Sequence, residues 1–321
     1  VYAAGDSYVF GSANVTLYPK WSAGTNTVTF SAGGGSGSIS NQLITTDVAT
    51  ALTSNTFTRT GYTFAGWATT SGGAVVYTNG ASVTITGGLN LVAVWTANSN
   101  TVTFSNGGGT GSMSNQVITT NVATALTSNT FTRTGYTFAG WSTTLNGSLA
   151  FANNASVTLT SGLNLFALWT ANSNTVTFSN GGGTGSMSNQ VITTNVATAL
   201  TSNTFIRTGY SFSGWAASQG GSVVYANGAS VTITGGLNLV AVWGPLTNTV
   251  TFNANDGSGS PATSTQSIVS GTSTALTAIS FTRTGYTFAG WNTSALGTGT
   301  SYSNSQSVTL VGNLNLFAQW T

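Results

Sequence analysis

The chain has 321 residues and a formal net charge of +2, and only 2% of its residues are charged, against about a quarter in ordinary globular proteins. Histidine, cysteine and glutamate are absent, which removes disulfides, thiolate or imidazole metal sites and most acid–base and nucleophilic chemistry. So small a charge without a basic patch excludes nucleic acid and an anionic membrane surface as expected partners, and no apolar run approaches the ~20 residues of a membrane span.

Low charge does not here mean disorder. Hydrophobic residues make up 40% of the chain, with 9 Trp, 10 Tyr and 16 Phe, enough apolar surface for packed cores. The polar remainder is Thr, Ser, Asn and Gly, a mixture that favours strands and turns over helices.

In chain order, the leading residues 2–21, YAAGDSYVFGSANVTLYPKW, align with YTNGASVTITGGLNLVAVW at 77–95 with one extra residue in a turn. Residues 1–21 are therefore expected to be the C-terminal part of a truncated repeat, and the chain part of a longer array. Four full repeats follow, over 22–95, 96–169, 170–243 and 244–321. Phe30, Phe104, Phe178 and Phe252 recur every 74 residues. Trp67, Trp141 and Trp215 keep that step, with Trp291 closing the set; Trp95, Trp169, Trp243 and Trp320 form a second series. Residues 100–141 and 174–215 differ only at Thr132/Ile206, Thr137/Ser211 and Ala139/Ser213. Near-identical neighbours risk mispairing during folding, so an array kept in this form points to length or copy number as its purpose.

Within the first full repeat, TVTF (27–30) alternates as a half-buried strand and SAGGGSGS is a flexible hairpin connection to the returning strand NQLITT (41–46). DVATALTSNTF (47–57) has the only weak helical character, read as either a short helical turn or an extended crossover. GYTFAGW (61–67) is a strand with Tyr62 and Phe64 on one face. Simple alternation sends Trp67 to the other face, and Gly66 is the position for a bulge that would re-aim it into the core. VVY (75–77), a TNG turn, SVTIT (82–86) and LNLVAVW (89–95) complete the unit, and TANSN (96–100) reads as a five-residue link.

The expected core is aromatic: Phe30, Tyr62, Phe64, Trp67 and Trp95, then Phe104, Tyr136, Phe138, Trp141 and Trp169. Phe178, Trp215 and Trp243 follow in the third repeat, and Phe252, Trp291 and Trp320 in the fourth. Two Trp per unit offset the small size of a 74-residue core. The competing use of the Trp rings, sugar stacking, is less favoured because each ends an alternating apolar strand.

Each full repeat carries one arginine, Arg59, Arg133, Arg207 or Arg283, in the setting RTGY. One reading is a periodic ladder for an anionic ligand. The favoured reading is structural, with the guanidinium over an aromatic ring and its donors on backbone carbonyls. The three aspartates, Asp6, Asp47 and Asp256, stand in different repeats, so no paired carboxylates for catalysis or calcium arise. The runs GGGSG and GGGTG lack the lysine of a phosphate loop and are better explained as hairpin turns. No cofactor is expected. Asn14, Asn146, Asn154 and Asn292 lie in N-glycosylation sequons.

The segments VTF at 28–30, Thr58 to Trp67, and L-x-L-x-A-x-W at 89–95 recur in every full repeat. In this pattern the chain resembles the Listeria–Bacteroides repeat family, related to the B repeats of internalin-type surface proteins. The resemblance implies a mostly β, β-grasp-like unit with little or no helix, strung in tandem along extracellular or cell-surface proteins as a stalk or spacer, in some cases adhesive or self-associating. It supplies no catalytic residues. The chain departs from the family pattern in charge and on the second face of the last strand, which carries Val92 and Val94, Phe166 and Leu168, Val240 and Val242, and Phe317. These are expected to be lateral contacts to other copies in a surface fibre. The alternative is a repetitive adhesin for glycans or a surface-protein partner.

Overall fold

The computed structural model describes residues 2–9 and 11–321. Val1 and Phe10, both in the leading segment expected to be a repeat's end, lie outside the described residues. In the rest of that segment no strand forms before Thr25, and Trp21 is 87% exposed. The chain divides into two compact units. One takes the chain up to Phe131 together with Ala139–Leu168, and the other takes Thr132–Phe138 together with Trp169–Thr321.

The first repeat shows how the unit is built. Its strands are β1 (Thr25–Ser31), β2 (Gln42–Thr45), β3 (Thr50–Ala51), β4 (Tyr62–Ala68), β5 (Ser82–Val83) and β6 (Leu89–Ala97). Four of them form a sheet in the order β2-β1-β6-β4. β1 is antiparallel to β2, with Val28 opposite Gln42, and parallel to β6, with Phe30 opposite Leu91. β4 runs antiparallel to β6, and β3 and β5 form a separate two-stranded ladder. The period of two in TVTF sets the sidedness: Val28 is fully buried while Thr25 and Thr27 face out. The same four-strand order recurs in the other repeats, and the fourth adds Ser301–Tyr302 at one edge.

The array is thus mostly β, without a helix among the described residues. Residues 47–57, where two conformations were compatible with the sequence, form the extended crossover. Asp47 takes a left-handed conformation (φ +61°) and β-branched residues follow it, both unfavourable to a helical turn. The Gln42 side chain then clamps the crossover: its Nε2 donates to Ala51 O at 2.7 Å and its Oε1 accepts from Thr53 N at 2.8 Å. Gln116, Gln190 and Gln266 repeat this clamp.

The bulge in β4 decides where the large tryptophan goes. Phe64 pairs with Trp95 and Gly66 with Val94, so the ladder skips Ala65. Gly66 adopts φ +147°, a region open to glycine. The extra residue turns Trp67 inward, where it is 0% exposed. Its indole meets three phenylalanines: Phe30 and Phe64 at 5.0 Å, and Phe57 at 6.2 Å between ring centroids. Val28, Ile44, Leu52, Val83, Leu91 and Ala93 close the cluster. Tilted and edge-to-face aromatic pairs such as these contribute about 0.5–1.5 kcal/mol each beyond the area they bury.

The links between repeats are shorter than TANSN suggested. β6 continues to Ala97, and β7 (Ser99–Ser105) begins two residues later, so Asn98 is the whole connection. Alternation simply runs on through Thr96 and Ala97, opposite Thr63 and Tyr62 of β4.

Candidate functional site

The segment that repeats most faithfully, RTGY, is a tight turn. Tyr62 N donates to Arg59 O at 3.0 Å, and Gly61 at the third position has φ +77°, the requirement of a type II turn. Such a turn brings its first and fourth side chains together. The Arg59 guanidinium carbon lies 3.9 Å from the Tyr62 ring centroid; Arg133 on Tyr136, Arg207 on Tyr210 and Arg283 on Tyr286 stand at 4.0, 3.9 and 3.9 Å. The hydrogen bonds expected from the guanidiniums to backbone carbonyls are not found among the described residues. All four arginines are half-buried, and their guanidiniums lie beside the glycine-rich hairpin: a methyl group built on Gly34, Gly182 or Gly257 would stand 3.5, 3.8 or 3.3 Å from a nitrogen of Arg59, Arg207 or Arg283.

The same turn also holds the next repeat. Within the first unit, Asn98 N donates to Gly61 O and Thr120 N donates to Asn98 O, both at 2.9 Å. Thr63 Oγ1 donates to Asn98 Oδ1 at 2.7 Å, and Asn121 Nδ2 to the Tyr62 hydroxyl at 3.2 Å. The buried Asn100 donates from Nδ2 to Thr120 Oγ1 at 2.9 Å. Within the second unit the pattern returns twice. Asn172 N donates to Gly135 O at 2.9 Å and Asn195 Nδ2 to Tyr136 Oη at 3.3 Å. Leu246 N donates to Gly209 O and Ser270 N to Leu246 O, both at 2.8 Å. The backbone amide and carbonyl of the one-residue link are thereby both engaged, which fixes its backbone.

The aromatic residues expected in the core occupy three settings. Trp67, Trp141, Trp215 and Trp291 are at most 2% exposed. Phe104 and Phe252 are buried, and Phe30 and Phe178 half-buried against the same cluster. Trp95, Trp169, Trp243 and Trp320 are half-buried; Trp95, Trp243 and Trp320 donate from Nε1 to Ala32 O, Asn180 O and Ala254 O at 2.8, 2.8 and 2.7 Å. Phe64 bridges Trp67 and Trp95, and Phe138 stacks edge-on to Trp169 at 5.7 Å. Tyr62 and Tyr136 are different: they are half-buried under an arginine at the repeat's end, because the turn and not the strand alternation sets their direction. Phe57, Phe131 and Phe205, at 5 to 6% exposure, belong to the core and were missed by strand reasoning. Their 74-residue spacing was the available signal.

The second face of the last strand is partly covered by its own repeat. Val92, Val94, Phe166, Leu168, Val240, Val242 and Phe317 are all half-buried. In the first repeat Val92 and Val94 form the floor of a shallow cleft of about 220 Å³ whose wall is the loop Thr70–Gly73. Of the sequons, Asn292 is 1% exposed and its Nδ2 donates to Gly297 O, Gly299 O and Ser301 Oγ, which blocks it as a glycan acceptor. Asn14, Asn146 and Asn154 are exposed. Among the described residues no three His, Cys, Asp or Glu side chains gather, and no helix is long and apolar enough to cross a membrane.

Sheet order, bulge and junction together define a tandem array of small, mostly β repeats joined through single residues. A family model of the Listeria-Bacteroides repeat domain matches residues 27–94, 101–168, 175–242 and 249–319. The chain belongs to that family, whose repeats are generally found in extracellular or surface proteins. A search of the curated proteins finds no match.

Proposed function

We propose that the chain is a non-catalytic structural segment of an extracellular stalk or surface fibre. The observation that carries this reading is the junction. One residue separates β6 from β7, and its amide and carbonyl are bound by the repeats on either side. A spacer needs neighbouring units that resist bending, and a hydrogen-bonded single-residue link supplies that resistance where a flexible linker would not. Near-absence of charge fits the same role, since contacts between copies then depend little on salt or pH. Lateral association would use the exposed remainder of Val92, Val94 and their counterparts.

Negative-stain microscopy of native surface material, with an antibody raised against this chain, tests the proposal. Label along regular fibres or stalks is the expected result. Label confined to non-fibrous surface patches overturns it and favours the adhesin reading.

A further inference from the structure

Tension on a tandem array enters a repeat at the start of its first strand and leaves at the end of its last. In the first repeat those strands are β1 and β6. They lie side by side in the middle of the sheet and run parallel, with Val28 opposite Leu89 and Ser31 opposite Val92. Val102 opposite Leu163, Val176 opposite Leu237 and Val250 opposite Leu314 repeat that register. Pulling on Thr25 and Ala97 therefore slides two parallel strands past one another along their own axes. The evenly spaced bonds of the ladder between them are loaded together and not one after another.

Side chains reinforce this pair on both faces. On the outer face Thr29 Oγ1 donates to Asn90 Oδ1 at 2.6 Å, directly across the two strands. Thr103 with Asn164 and Thr177 with Asn238 form the same bond at 2.6 Å. On the inner face Val28 and Leu91 are buried, which keeps water from competing for the ladder bonds. Beyond the end of β1, Trp95 Nε1 donates back to Ala32 O at 2.8 Å. The carbonyls of Ala93, Ala167 and Ala241 occupy the space that a methyl group on Gly33, Gly107 or Gly181 would need. In the fourth repeat Asn255 Nδ2 donates to the matching Ala318 O at 2.9 Å.

We propose that this parallel pair is a shear clamp, bolted by the Thr–Asn bond in the first three repeats, through which each repeat bears tension along the chain without opening. Its use under load rests on the stalk reading; the clamp itself does not. Resistance to pulling is set by the barrier to unfolding and not by equilibrium stability, so the arrangement of the two strands that take the force decides it. By the register of β1 on β6, Thr25 and Ala97 stand ~36 Å apart along the strands. The same stretch drawn out spans about 260 Å, so a repeat that gives way releases roughly 220 Å at once.

Single-molecule force spectroscopy on the full chain, held by tags at its two ends, tests this. The expected trace has one all-or-none rupture per repeat, each releasing roughly 220 Å. Asn164→Ala should lower the rupture force of one event in four by about a fifth, the share of one side-chain bond beside four residue pairs in register. Gln116→Ala frees the crossover away from the pair. It should lower the denaturant midpoint and leave every rupture force as in the wild type. Rupture in two or more smaller steps per repeat, an unchanged force in Asn164→Ala, or an equal loss of force in Gln116→Ala overturns the proposal. Should Asn164→Ala fail to fold, as judged by circular dichroism, Thr103→Val removes the same bond with the side-chain shape kept and takes its place. The two readings fail separately. Antibody label away from fibres overturns the stalk and leaves a measured clamp standing, whereas repeats that peel open in small steps overturn the clamp and leave the stalk to the microscopy.

Discussion

The carbonyl of Gly61 accepts the amide of Asn98 at 2.9 Å, so the turn that opens β4 also grips the residue that leads into the next repeat. One sequence element, RTGY, therefore does two things. It stacks an arginine on a tyrosine within the repeat, and it presents a glycine close enough for the following repeat to pack on its backbone. A methyl group on Gly61 would stand 2.7 Å from Thr120 Cγ2 and 3.1 Å from Thr160 O.

That closeness gives the first prediction. Gly61→Ala combines left-handed backbone strain with a clash across the junction, and should cost roughly 2–4 kcal/mol. Gly285 has the same backbone, φ +78°, but nothing within 4 Å of an added methyl group, so Gly285→Ala should cost only about 1 kcal/mol. Denaturant titration gives both values. Hydrogen exchange at the Thr120 amide, which donates to Asn98 O, should accelerate in Gly61→Ala alone. Equal effects of the two substitutions would show that the junction adds nothing.

The bulge is the second. A methyl group on Gly66 would come 2.5 Å from Val75 Cγ1 and 2.7 Å from Tyr77 O, at φ +147°. Gly66→Ala should lower stability by roughly 2–4 kcal/mol, the sum of a disfavoured conformation and overpacking. Because the bulge aims Trp67 into the core, the variant should also red-shift tryptophan emission. A blue-shifted, fully stable variant would mean that the strand reaches the same packing without the glycine.

How far this was readable in advance depends on the kind of signal. Periodicity of two placed β1, β4 and β6, and Gly66 inside an alternating run marked the bulge before any coordinates. The junction was not readable in that way, because TANSN looks like any polar linker. Its strand character comes from Thr96 and Ala97 pairing with Thr63 and Tyr62, a partner choice that no local pattern states. The Gln42 clamp was hidden for the same reason, since its acceptor and donor lie nine and eleven residues away on a crossover of ambiguous conformation. The arginine stack was half legible: the ring was anticipated, whereas the contact of the guanidinium with the hairpin depends on where its glycines fall.

Composition leads to a pH prediction. The chain lacks histidine and cysteine, so no side chain with an ordinary pKa between pH 5 and 8 is present, and the melting temperature should be flat across that range. Asp256 is the group expected to respond in acid. Hydrogen bonds from the Ser258 amide and hydroxyl, with a smaller contribution from Arg283, hold its carboxyl below the usual range. A lowered folded-state pKa contributes stability above the unfolded value, and that stability is lost as pH falls through the folded value, hence below about pH 4. Calorimetry from pH 2 to 8 should show a plateau with a small acid loss that Asp256→Asn removes. A midpoint near pH 6 would contradict the assignment.

The last prediction separates stacking from simple charge. The Arg133 guanidinium carbon lies 4.0 Å over Tyr136, and a planar cation on a ring gains both electrostatic attraction and dispersion that a compact ammonium does not reproduce. Arg133→Lys keeps the charge but should lower stability by about 0.5–1 kcal/mol, the range for a partly exposed cation–π pair. Because contact at this distance is screened far less than long-range attraction between exposed charges, the loss should persist in 1 M salt. A double-mutant cycle with Tyr136→Leu isolates the pair: the Arg-to-Lys cost should vanish once the ring is gone. An Arg133→Lys variant with unchanged melting temperature at low and high salt would show that the ring is a passive neighbour.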